Sequence, residues 1–269
     1  AQESRGLGDV YKRQTIYITG DSTVADCPAC YPYYPESSYC GWGQFFTYYV
    51  SNLAAVSNHA HPGLNTESFR TEGHYNVIRK NIKRGDYCIF QFGHNDAKFS
   101  HLAADTGYTD NLRTFIDEVR SFGATPIIVT PLAGNTWNSD KTAYDDTMLS
   151  YADACKKISA EKHVPIIDLH QVSMDFIKRV GSSDAARYFY PGDCMKTNDF
   201  GAYLMSGFIA KEIKRIHDIC PIPIRTSLCG KVYDPVMNLK RPMTMEELME
   251  SDDFVPPMHI HEAEEPQKK

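Results

Sequence analysis

Short runs of apolar residues recur along the chain, and each of the stronger runs ends at a glycine, a proline or a polar turn. They predict strands over Thr15–Thr19, Asp86–Phe92, Ala124–Thr130 and Val164–Leu169, with a weaker fifth strand over Ala54–Ser57. Runs of this length that are apolar at successive positions are typical of strands buried on both faces of a parallel sheet.

Longer stretches with apolar residues at helical spacing separate these runs. They predict helices over about Gly43–Leu53, Glu67–Lys83, Asp110–Phe122, Tyr144–Lys162 and Asp199–His217. Strands that alternate with helices predict an α/β fold, a three-layer sandwich around a central five-stranded parallel sheet with right-handed crossovers. In such sheets the functional residues lie at the carboxyl ends of the strands.

Composition and charge narrow the function classes. The chain has 269 residues, of which 42% are hydrophobic and 23% charged, which suits a globular domain with a substantial core. No run of about 18 apolar residues occurs, so we predict no membrane span. The net charge of −6 argues against a nucleic-acid partner. Because the residues from Met245 onward hold eight acids and two bases, this charge belongs to the end of the chain.

The two ends of the chain differ from the middle. Ser4–Gln14 resembles translated sequencing-adaptor sequence at the edge of a metagenomic fragment, so residues 1–14 are interpreted as a non-native leader. We predict no signal peptide there, because the segment lacks an apolar core, and a bacterial cytoplasmic and a secreted location both stay open. Prolines end the last helical pattern, and residues 221–269 are predicted to form an appendage or tail. The expected domain is therefore residues 15–220.

Cysteine and histidine spacings offer two candidate metal motifs, and neither leads to a predicted metal or cofactor. Cys27 and Cys30 have C-x-x-C spacing, but no second pair completes a zinc site, so loop cysteines without metal are expected. His259, His261 and Glu265 have a spacing found in cupin metal sites. We interpret them as part of a solvated acidic tail.

Three polar turns follow predicted strands and carry the candidate chemistry. Gly20–Thr23 (GDST) follows the first strand, Gly63 follows the weak strand, and Gly93–Asp96 (GHND) follows the next. A serine on a tight turn above a strand end exposes its hydroxyl to a cleft, and backbone or side-chain amides nearby stabilise an oxyanion. Taken singly, each turn is equally typical of an ordinary loop or helix cap.

Together these turns resemble the SGNH (GDSL-type) hydrolase superfamily, and most closely its rhamnogalacturonan acetylesterase family. The resemblance spans about residues 15–218 and implies the flavodoxin-like SGNH hydrolase fold. The matching blocks are TIYITGDSTVA from Thr15, GWGQ from Gly41, GLNTESFRTEGHY from Gly63, GDYCIFQFGHND from Gly85 and GDCMKTNDFGAYLMSGFIAKEI from Gly192.

The resemblance also implies roles for individual residues. Ser22 would be the nucleophile, and the backbone N–H groups of Ser22 and Gly63 with the Asn95 side chain would form the oxyanion hole. The last block of the family reads Asp-x-x-His, in which the histidine is the general base and the aspartate orients it. Asp193 matches the aspartate, but Lys196 stands where the family has histidine. Acyl transfer by this route needs no cofactor.

Lys196 changes the expected chemistry. The reference pKa of a lysine is about 10.4, against about 6.5 for histidine. Neutralising it near pH 7.4 needs a fall of about 3 pKa units, or about 4 kcal/mol, while Asp193 favours the ammonium form. We therefore predict a protonated Lys196 that pairs with Asp193. Such a group does not take the Ser22 proton, although it is able to bind an anion or a substrate carboxylate.

Other histidines are candidates to replace the missing base. His94 already belongs to the GHND motif and is not spare, whereas His59, His61 and His170 lie near predicted strand ends. Each of these three is more typical of a surface or packing histidine. Four tyrosines after the nucleophile turn suit either sugar binding or loop anchoring; they are Tyr31, Tyr33, Tyr34 and Tyr39.

Three functional hypotheses follow. The first is a serine esterase that removes O-acetyl groups from a pectic or other plant polysaccharide through an acetyl-enzyme, in which Lys196 either serves as a rescued base or strongly reduces turnover. The second is a catalytically inactive relative that binds acetylated oligo- or polysaccharide without cleaving it. The third is an esterase or lysophospholipase for small lipids, which would need a long apolar channel. The oligomeric state stays open.

Overall fold

The computed structural model describes residues 13–26 and 39–225, and within them a central parallel sheet confirms the predicted fold class. Its strands are β1 (Gln14–Gly20), β2 (Ala54–Asn58), β3 (Tyr87–Gln91), β4 (Thr125–Val129) and β5 (Ile166–Ile167). The order across the sheet is β2-β1-β3-β4-β5, with every neighbouring pair parallel. The strands β1 to β4 begin and end within one residue of the predicted runs, β5 covers two residues of its run, and the weak fifth candidate is β2.

Helices cover both faces of the sheet, as the alternation of elements predicts. They are α1 (Trp42–Phe46), α2 (Ser68–Thr71), α3 (His74–Asn81), α4 (Gly107–Ser121), α5 (Leu149–Lys162), α6 (Leu169–Val180), α7 (Ser182–Ala185) and α8 (Asp199–Arg215). Short 3₁₀ turns add Asp96–Lys98, Ser100–Leu102 and Ala186–Tyr188. No helix in the described residues has the length and hydropathy that crossing a membrane requires.

Successive side chains of the buried strands point to opposite faces and feed two separate cores. Ile16, Ile18 and Ile89 pack with the apolar faces of α1, α6 and α8 on one side. Tyr17, Cys88 and Phe90 pack with α3, α4 and α5 on the other. The sheet therefore forms the middle layer of three, which explains why its strands are apolar at every position.

The predicted helix Gly43–Leu53 is wrong beyond α1. Val50 pairs with Ile224 in an isolated antiparallel bridge, and the Ser51 N–H donates to the Pro223 carbonyl at 2.8 Å. This pairing requires extended backbone and therefore ends the helix early. It also packs residues 221–225, the start of the predicted appendage, against the segment that follows α1.

The predicted single helix Glu67–Lys83 is also wrong, because it is divided into α2 and α3. Gly73 lies between them with a φ of +86°, in the left-handed region that favours glycine. The chain changes direction at this residue, so the apolar positions on either side do not share one helical axis.

Two further predictions fail around β5. The helix predicted over Tyr144–Lys162 begins only at Leu149, because Tyr144 pairs with Trp137 in an isolated bridge. The strand predicted over Val164–Leu169 is limited to β5, because Asp168 caps α6 by accepting a hydrogen bond from the Gln171 N–H at 3.2 Å. The helix α6 was not predicted at all. The predictions for α4 and α8 are confirmed within a few residues.

Candidate active site

The nucleophile turn follows β1 and is held by its own aspartate. Asp21 is fully buried, and its Oδ1 atom accepts hydrogen bonds from the Thr23 N–H at 2.8 Å and the Thr23 hydroxyl at 2.7 Å. The Asp21 carbonyl accepts from the N–H groups of Val24 and Ala25. These bonds close a tight turn in which Ser22 is half-buried, with no hydrogen bond from its hydroxyl to the described residues.

The loop after β2 runs beside this turn. The His61 N–H donates to the Gly20 carbonyl at 3.0 Å, which joins the two loops directly. Gly63 has a φ of +85° and is exposed, so its backbone is not covered by a side chain of its own. The loop then ends in a turn in which the Asn65 Oδ1 atom accepts from the N–H groups of Glu67 and Ser68.

The loop after β3 carries Asn95, which contacts the Gly63 loop. The Asn95 Nδ2 atom donates to the Leu64 carbonyl at 2.9 Å, and its Oδ1 atom accepts from the Lys98 ammonium at 2.7 Å. Asp96 is buried beside it and accepts from the Thr66 N–H at 3.0 Å and the Thr66 hydroxyl at 2.5 Å. Burial raises the pKa of Asp96 to about 6, although the bonds from Thr66 oppose that shift.

Three of the predicted site residues therefore lie on loops that touch one another. β1 is paired with both β2 and β3, so the carboxyl ends of these strands are adjacent at one edge of the sheet. Hydrogen bonds between the loops then tie Ser22, Gly63 and Asn95 into one region. The Ser22 hydroxyl, the backbone N–H groups of Ser22 and Gly63 and the Asn95 amide thus belong to loops at the same edge of the sheet.

Asp193 and Lys196 lie on the loop before α8. The Asp193 Oδ1 atom accepts from the N–H groups of Met195 at 2.7 Å and Lys196 at 2.9 Å. The Lys196 ammonium lies 3.8 Å from Asp193 Oδ2 and 4.7 Å from the centre of the Tyr39 ring. A carboxylate and an aromatic face are both favourable neighbours for a cationic side chain.

Backbone pairing joins this loop to the nucleophile turn through the segment before α1. Thr197 and Cys40 exchange two hydrogen bonds, from the Cys40 N–H at 2.9 Å and from the Thr197 hydroxyl at 2.6 Å. The next residues of that segment bond back to the turn, because the N–H groups of Gly41 and Trp42 donate to the carbonyls of Ala25 and Thr23. Residues 40–42 thus link the loop that carries Lys196 to the nucleophile turn.

His94 is committed to the structure of the site. Its Nε2 atom lies 3.0 Å from the Leu132 carbonyl, and its Nδ1 atom lies 3.6 Å from the Asp21 Oδ2 atom. Burial alone would raise the pKa of Asp21, but the His94 ring and the bonds from Thr23 outweigh it and lower the pKa below its usual value. Both ring nitrogens thus face protein groups, although the Nδ1 contact is too long for a hydrogen bond.

The remaining candidate histidines have partners of their own. His59 lies 2.9 Å from the Ser57 hydroxyl, and burial lowers its pKa. His61 packs its ring on His74 with a centroid distance of 5.0 Å. His170 is buried and lies 2.9 Å from a carboxylate oxygen of Asp146, in the loop between β4 and α5. Each of the three rings therefore contacts a neighbouring side chain, and none of these contacts involves the Ser22 turn.

A buried polar chain behind the nucleophile turn was not predicted. The Trp42 Nε1–H donates to Gln91 Oε1 at 2.6 Å, and Gln91 Nε2 donates to the Thr23 hydroxyl at 2.5 Å. The Thr23 hydroxyl donates in turn to Asp21. The sequence signal was a glutamine inside an otherwise apolar strand, because a buried amide needs polar partners.

Several sequence predictions fall outside the described residues. These are the Cys27–Cys30 motif, the tyrosines Tyr31, Tyr33 and Tyr34, and the His259, His261 and Glu265 spacing. Within residues 13–26 and 39–225, no group of three or more His, Cys, Asp or Glu side chains is arranged to hold a metal ion.

Comparison with known proteins gives a match to one family model and to several relatives. The model of the GDSL-like lipase/acylhydrolase family matches residues 18–193. Rhamnogalacturonan acetylesterase RhgT of Bacillus subtilis strain 168 is 35% identical over 174 residues, which is 65% of this chain and 72% of that protein. The probable rhamnogalacturonan acetylesterase YesY of the same strain is 30% identical over 211 residues, 75% of this chain and 93% of that protein.

Solved structures show the same fold. The crystal structure of YxiM from Bacillus subtilis superposes with a TM-score of 0.68 at 28% identity, over 77% of this chain and 58% of that chain. This chain therefore spans little more than half of YxiM. Axe2, an acetylxylan esterase from Geobacillus stearothermophilus, has a TM-score of 0.54 at 17% identity over 75% of this chain and 93% of its own.

Proposed function

This chain belongs to the GDSL-like lipase/acylhydrolase family, in its rhamnogalacturonan acetylesterase-like branch, and we propose that it is a carbohydrate esterase that removes acetyl groups with Ser22 as nucleophile. The observation that carries the proposal is the meeting of three loops at adjacent strand ends, where Asn95 bonds to the Gly63 loop and that loop bonds to Gly20. The acetylesterase names of the relatives support an acetylated carbohydrate as the substrate.

In the first proposed step, the Ser22 oxygen attacks the acetyl carbonyl carbon and its proton passes to a base. The carbonyl π electrons move to the oxygen, which becomes a tetrahedral oxyanion. The backbone N–H groups of Ser22 and Gly63 and the Asn95 amide would donate to this oxyanion. Removing one such donor typically costs about 100- to 1,000-fold in rate.

The intermediate then collapses. The bond to the sugar oxygen breaks, that oxygen takes the proton back from the base as an alcohol, and the acetyl group stays on Ser22. Water repeats the sequence on the acetyl-enzyme and releases acetate and the free serine. Both halves require one group that alternately takes and returns a proton.

Lys196 limits this cycle because it occupies the position from which the family's histidine acts. An ammonium between Asp193 and the Tyr39 ring has no lone pair with which to take the Ser22 proton. We therefore propose that turnover is impaired while the oxyanion hole is complete. A general base contributes about 100- to 10,000-fold to such reactions.

The same ammonium favours a second candidate function, which is binding of an acetylated carbohydrate without cleavage. The Lys196 side chain is 40% exposed, so its positive charge reaches the solvent beside the proposed cleft. Under this alternative, Lys196 would hold a carboxylate or another anionic group of the sugar chain.

A lipid substrate has less support. A cavity of about 550 Å³ lies between the 3₁₀ turns after β3 and the first turns of α5, but none of the five predicted site residues lines it. Its walls include the charged residues Asp105, Asp153 and Lys157. This cavity therefore offers no acyl channel to the proposed site.

The test is hydrolysis of p-nitrophenyl acetate by the parent protein, by Lys196→His and by Lys196→His with Ser22→Ala. We expect Lys196→His to raise kcat/KM by about 100-fold or more, and Ser22→Ala to abolish the gain. The activity of Lys196→His should rise with pH around the pKa of a histidine, about 6.5.

Lys178→His is the matched control, because the Lys178 ammonium lies over the Tyr144 ring at 4.9 Å, much as Lys196 lies over Tyr39. It should leave the activity unchanged. Rapid Ser22-dependent turnover by the parent protein would contradict the impaired base. No Ser22-dependent activity in either the parent or Lys196→His would refute the esterase and leave the binding function.

A further inference from the structure

The Asn95 side chain is held in one orientation by two partners, one that only accepts hydrogen bonds and one that only donates them. The Leu64 carbonyl only accepts hydrogen bonds, so the Asn95 atom at 2.9 Å from it must be Nδ2. The Lys98 ammonium only donates, so the atom at 2.7 Å from it must be Oδ1. A flipped amide would lose both bonds, and one Nδ2–H is left for a further acceptor.

The local backbone explains why Lys98 reaches this amide. Residues 96–98 form a 3₁₀ turn capped by Asn95, and the Lys98 N–H donates to the Asn95 carbonyl at 3.2 Å. Side chains three residues apart eclipse each other in a 3₁₀ turn. The ammonium of Lys98 therefore lies over the side chain of Asn95 rather than extending into solvent.

Among the described residues, no carboxylate competes for the Lys98 ammonium. It forms no ion pair with any residue in the described part of the chain, in contrast to Lys156 and Lys162, which contact Asp168 and Asp117. Its charge is thus directed at the Asn95 carbonyl oxygen. A cation at that oxygen withdraws electron density from the amide and strengthens its N–H groups as donors.

We propose that Lys98 is a positioning residue for the oxyanion hole, which fixes the Asn95 amide and strengthens its remaining Nδ2–H. This role rests on the proposed esterase function. Lys98 itself does not touch the substrate, and its effect passes entirely through Asn95. The loss of Lys98 should therefore slow the chemical step and leave substrate binding nearly unchanged.

The kinetic test uses the Lys196→His background, in which the family's base is present. Lys98→Met, which keeps the length and removes the donor, should lower kcat for p-nitrophenyl acetate about tenfold, as part of the 100- to 1,000-fold that an oxyanion donor supplies. KM should change less than about twofold. Lys98→Arg, which keeps a charged donor, should restore most of the rate, and Lys162→Met, which removes an ion-paired surface lysine, should change nothing.

A double variant separates positioning from general loss of structure. Once Asn95→Ala is present, adding Lys98→Met should cause no further fall in kcat, because the amide on which Lys98 acts is gone. Equal falls in the presence and absence of Asn95, or an equal fall in Lys162→Met, would overturn the proposal.

Nuclear magnetic resonance gives a readout that needs no turnover. The Asn95 Nδ2 signals, assigned by their loss in Asn95→Ala, should shift in Lys98→Met and return toward their parent positions in Lys98→Arg. Unmoved signals would overturn the contact. Absence of Ser22-dependent hydrolysis in Lys196→His overturns the esterase and the positioning role with it. If Lys196→His hydrolyses the ester and Lys98→Met leaves its kcat unchanged, only the positioning role is overturned.

Discussion

The two halves of the candidate site are built differently. On the oxyanion side, Asp21, Asn95 and Asp96 are buried. Asp21 accepts hydrogen bonds within its own turn, and Asn95 and Asp96 bond to the loop after β2. On the base side, the side chains of Asp193 and Lys196 are 27% and 40% exposed, and their charged atoms stand 3.8 Å apart. The polar side chains that support the first half lie in the protein interior, whereas the second half is a surface loop.

This difference indicates which positions of the site tolerate substitution. A substitution at a buried, hydrogen-bonded position leaves polar groups without partners, which typically costs about 1–3 kcal/mol each. A substitution at an exposed ion pair usually costs less than about 1 kcal/mol. Replacing the base by Lys196 therefore alters the chemistry of the site with little cost to the fold.

The largest expected effect is on catalysis from the oxyanion side. In the Lys196→His background, Asn95→Ala should lower kcat for p-nitrophenyl acetate by about 100- to 1,000-fold, because one oxyanion donor is lost. Asn81→Ala is the control, since the Asn81 amide bonds only to the Val77 carbonyl on the surface of α3. A fall in kcat of less than about fivefold in Asn95→Ala would contradict the role of Asn95 as an oxyanion donor.

The next effect is on stability and depends on pH. Asp96 has a folded-state pKa of about 6, above the usual 3.8. Between pH 3.8 and pH 6, its carboxyl is therefore protonated in the folded protein and ionised in the unfolded chain. Stability should therefore be full below pH 3.8 and fall as the pH rises through about 6. The fall should be about 3 kcal/mol.

Urea unfolding of the parent and of Asp96→Asn between pH 4 and 7.5 measures this fall as a difference, in which other groups cancel. The matched control is Asp140→Asn. Hydrogen bonds from Thr142 lower the pKa of Asp140, so Asp140 stays ionised over this range and its difference should stay flat. A flat difference for Asp96 as well would show that its carboxyl titrates normally.

A smaller effect is expected from the buried polar chain. Thr23→Val keeps the shape of the side chain but removes the hydroxyl between Gln91 and Asp21, and it should lower the free energy of unfolding by about 1–3 kcal/mol. Thr114→Val removes an exposed hydroxyl that bonds within α4 and should change it by less than about 0.5 kcal/mol. Equal losses at both positions would contradict the contrast between interior and surface.

The smallest effect is expected on the base side. Lys196→Met should change the free energy of unfolding by less than about 1 kcal/mol, since an exposed ion pair contributes little. Lys178→Met, at the similar contact with Tyr144, should behave alike. A loss of more than about 2 kcal/mol in Lys196→Met alone would place this lysine among the interior contacts.

The sequence predicted the sheet and the site loops because these depend on short, local signals. Buried parallel strands are apolar at every position, and the polar turns that follow them stand out. The failures occur where distant contacts decide the backbone. The helix expected to reach Leu53 ends at Phe46 because Val50 pairs with Ile224, more than 170 positions away, and no local pattern carries that information.

One missed helix had a readable signal. Asp168 is a helix cap, and Leu169, Val172, Phe176 and Ile177 follow at helical spacing, but the apolar start of this segment was assigned to the preceding strand. The Lys98 contact had a weaker signal, an Asn-x-x-Lys spacing whose meaning depends on a 3₁₀ turn. Side-chain pairing of this kind follows from the backbone conformation and therefore could not be predicted from the sequence.

The hydrogen bonds that run from Trp42 through Gln91 and Thr23 to Asp21 have only one possible arrangement of donors and acceptors. An indole only donates and a carboxylate only accepts, so the amide and the hydroxyl between them have no freedom to reverse. The Trp42 indole, a fluorescent group, is thus linked to the nucleophile turn by a chain of hydrogen bonds. Since Trp137 is the only other tryptophan of the chain, the emission wavelength of Trp42 is expected to report electrostatic events at Asp21 without any added label.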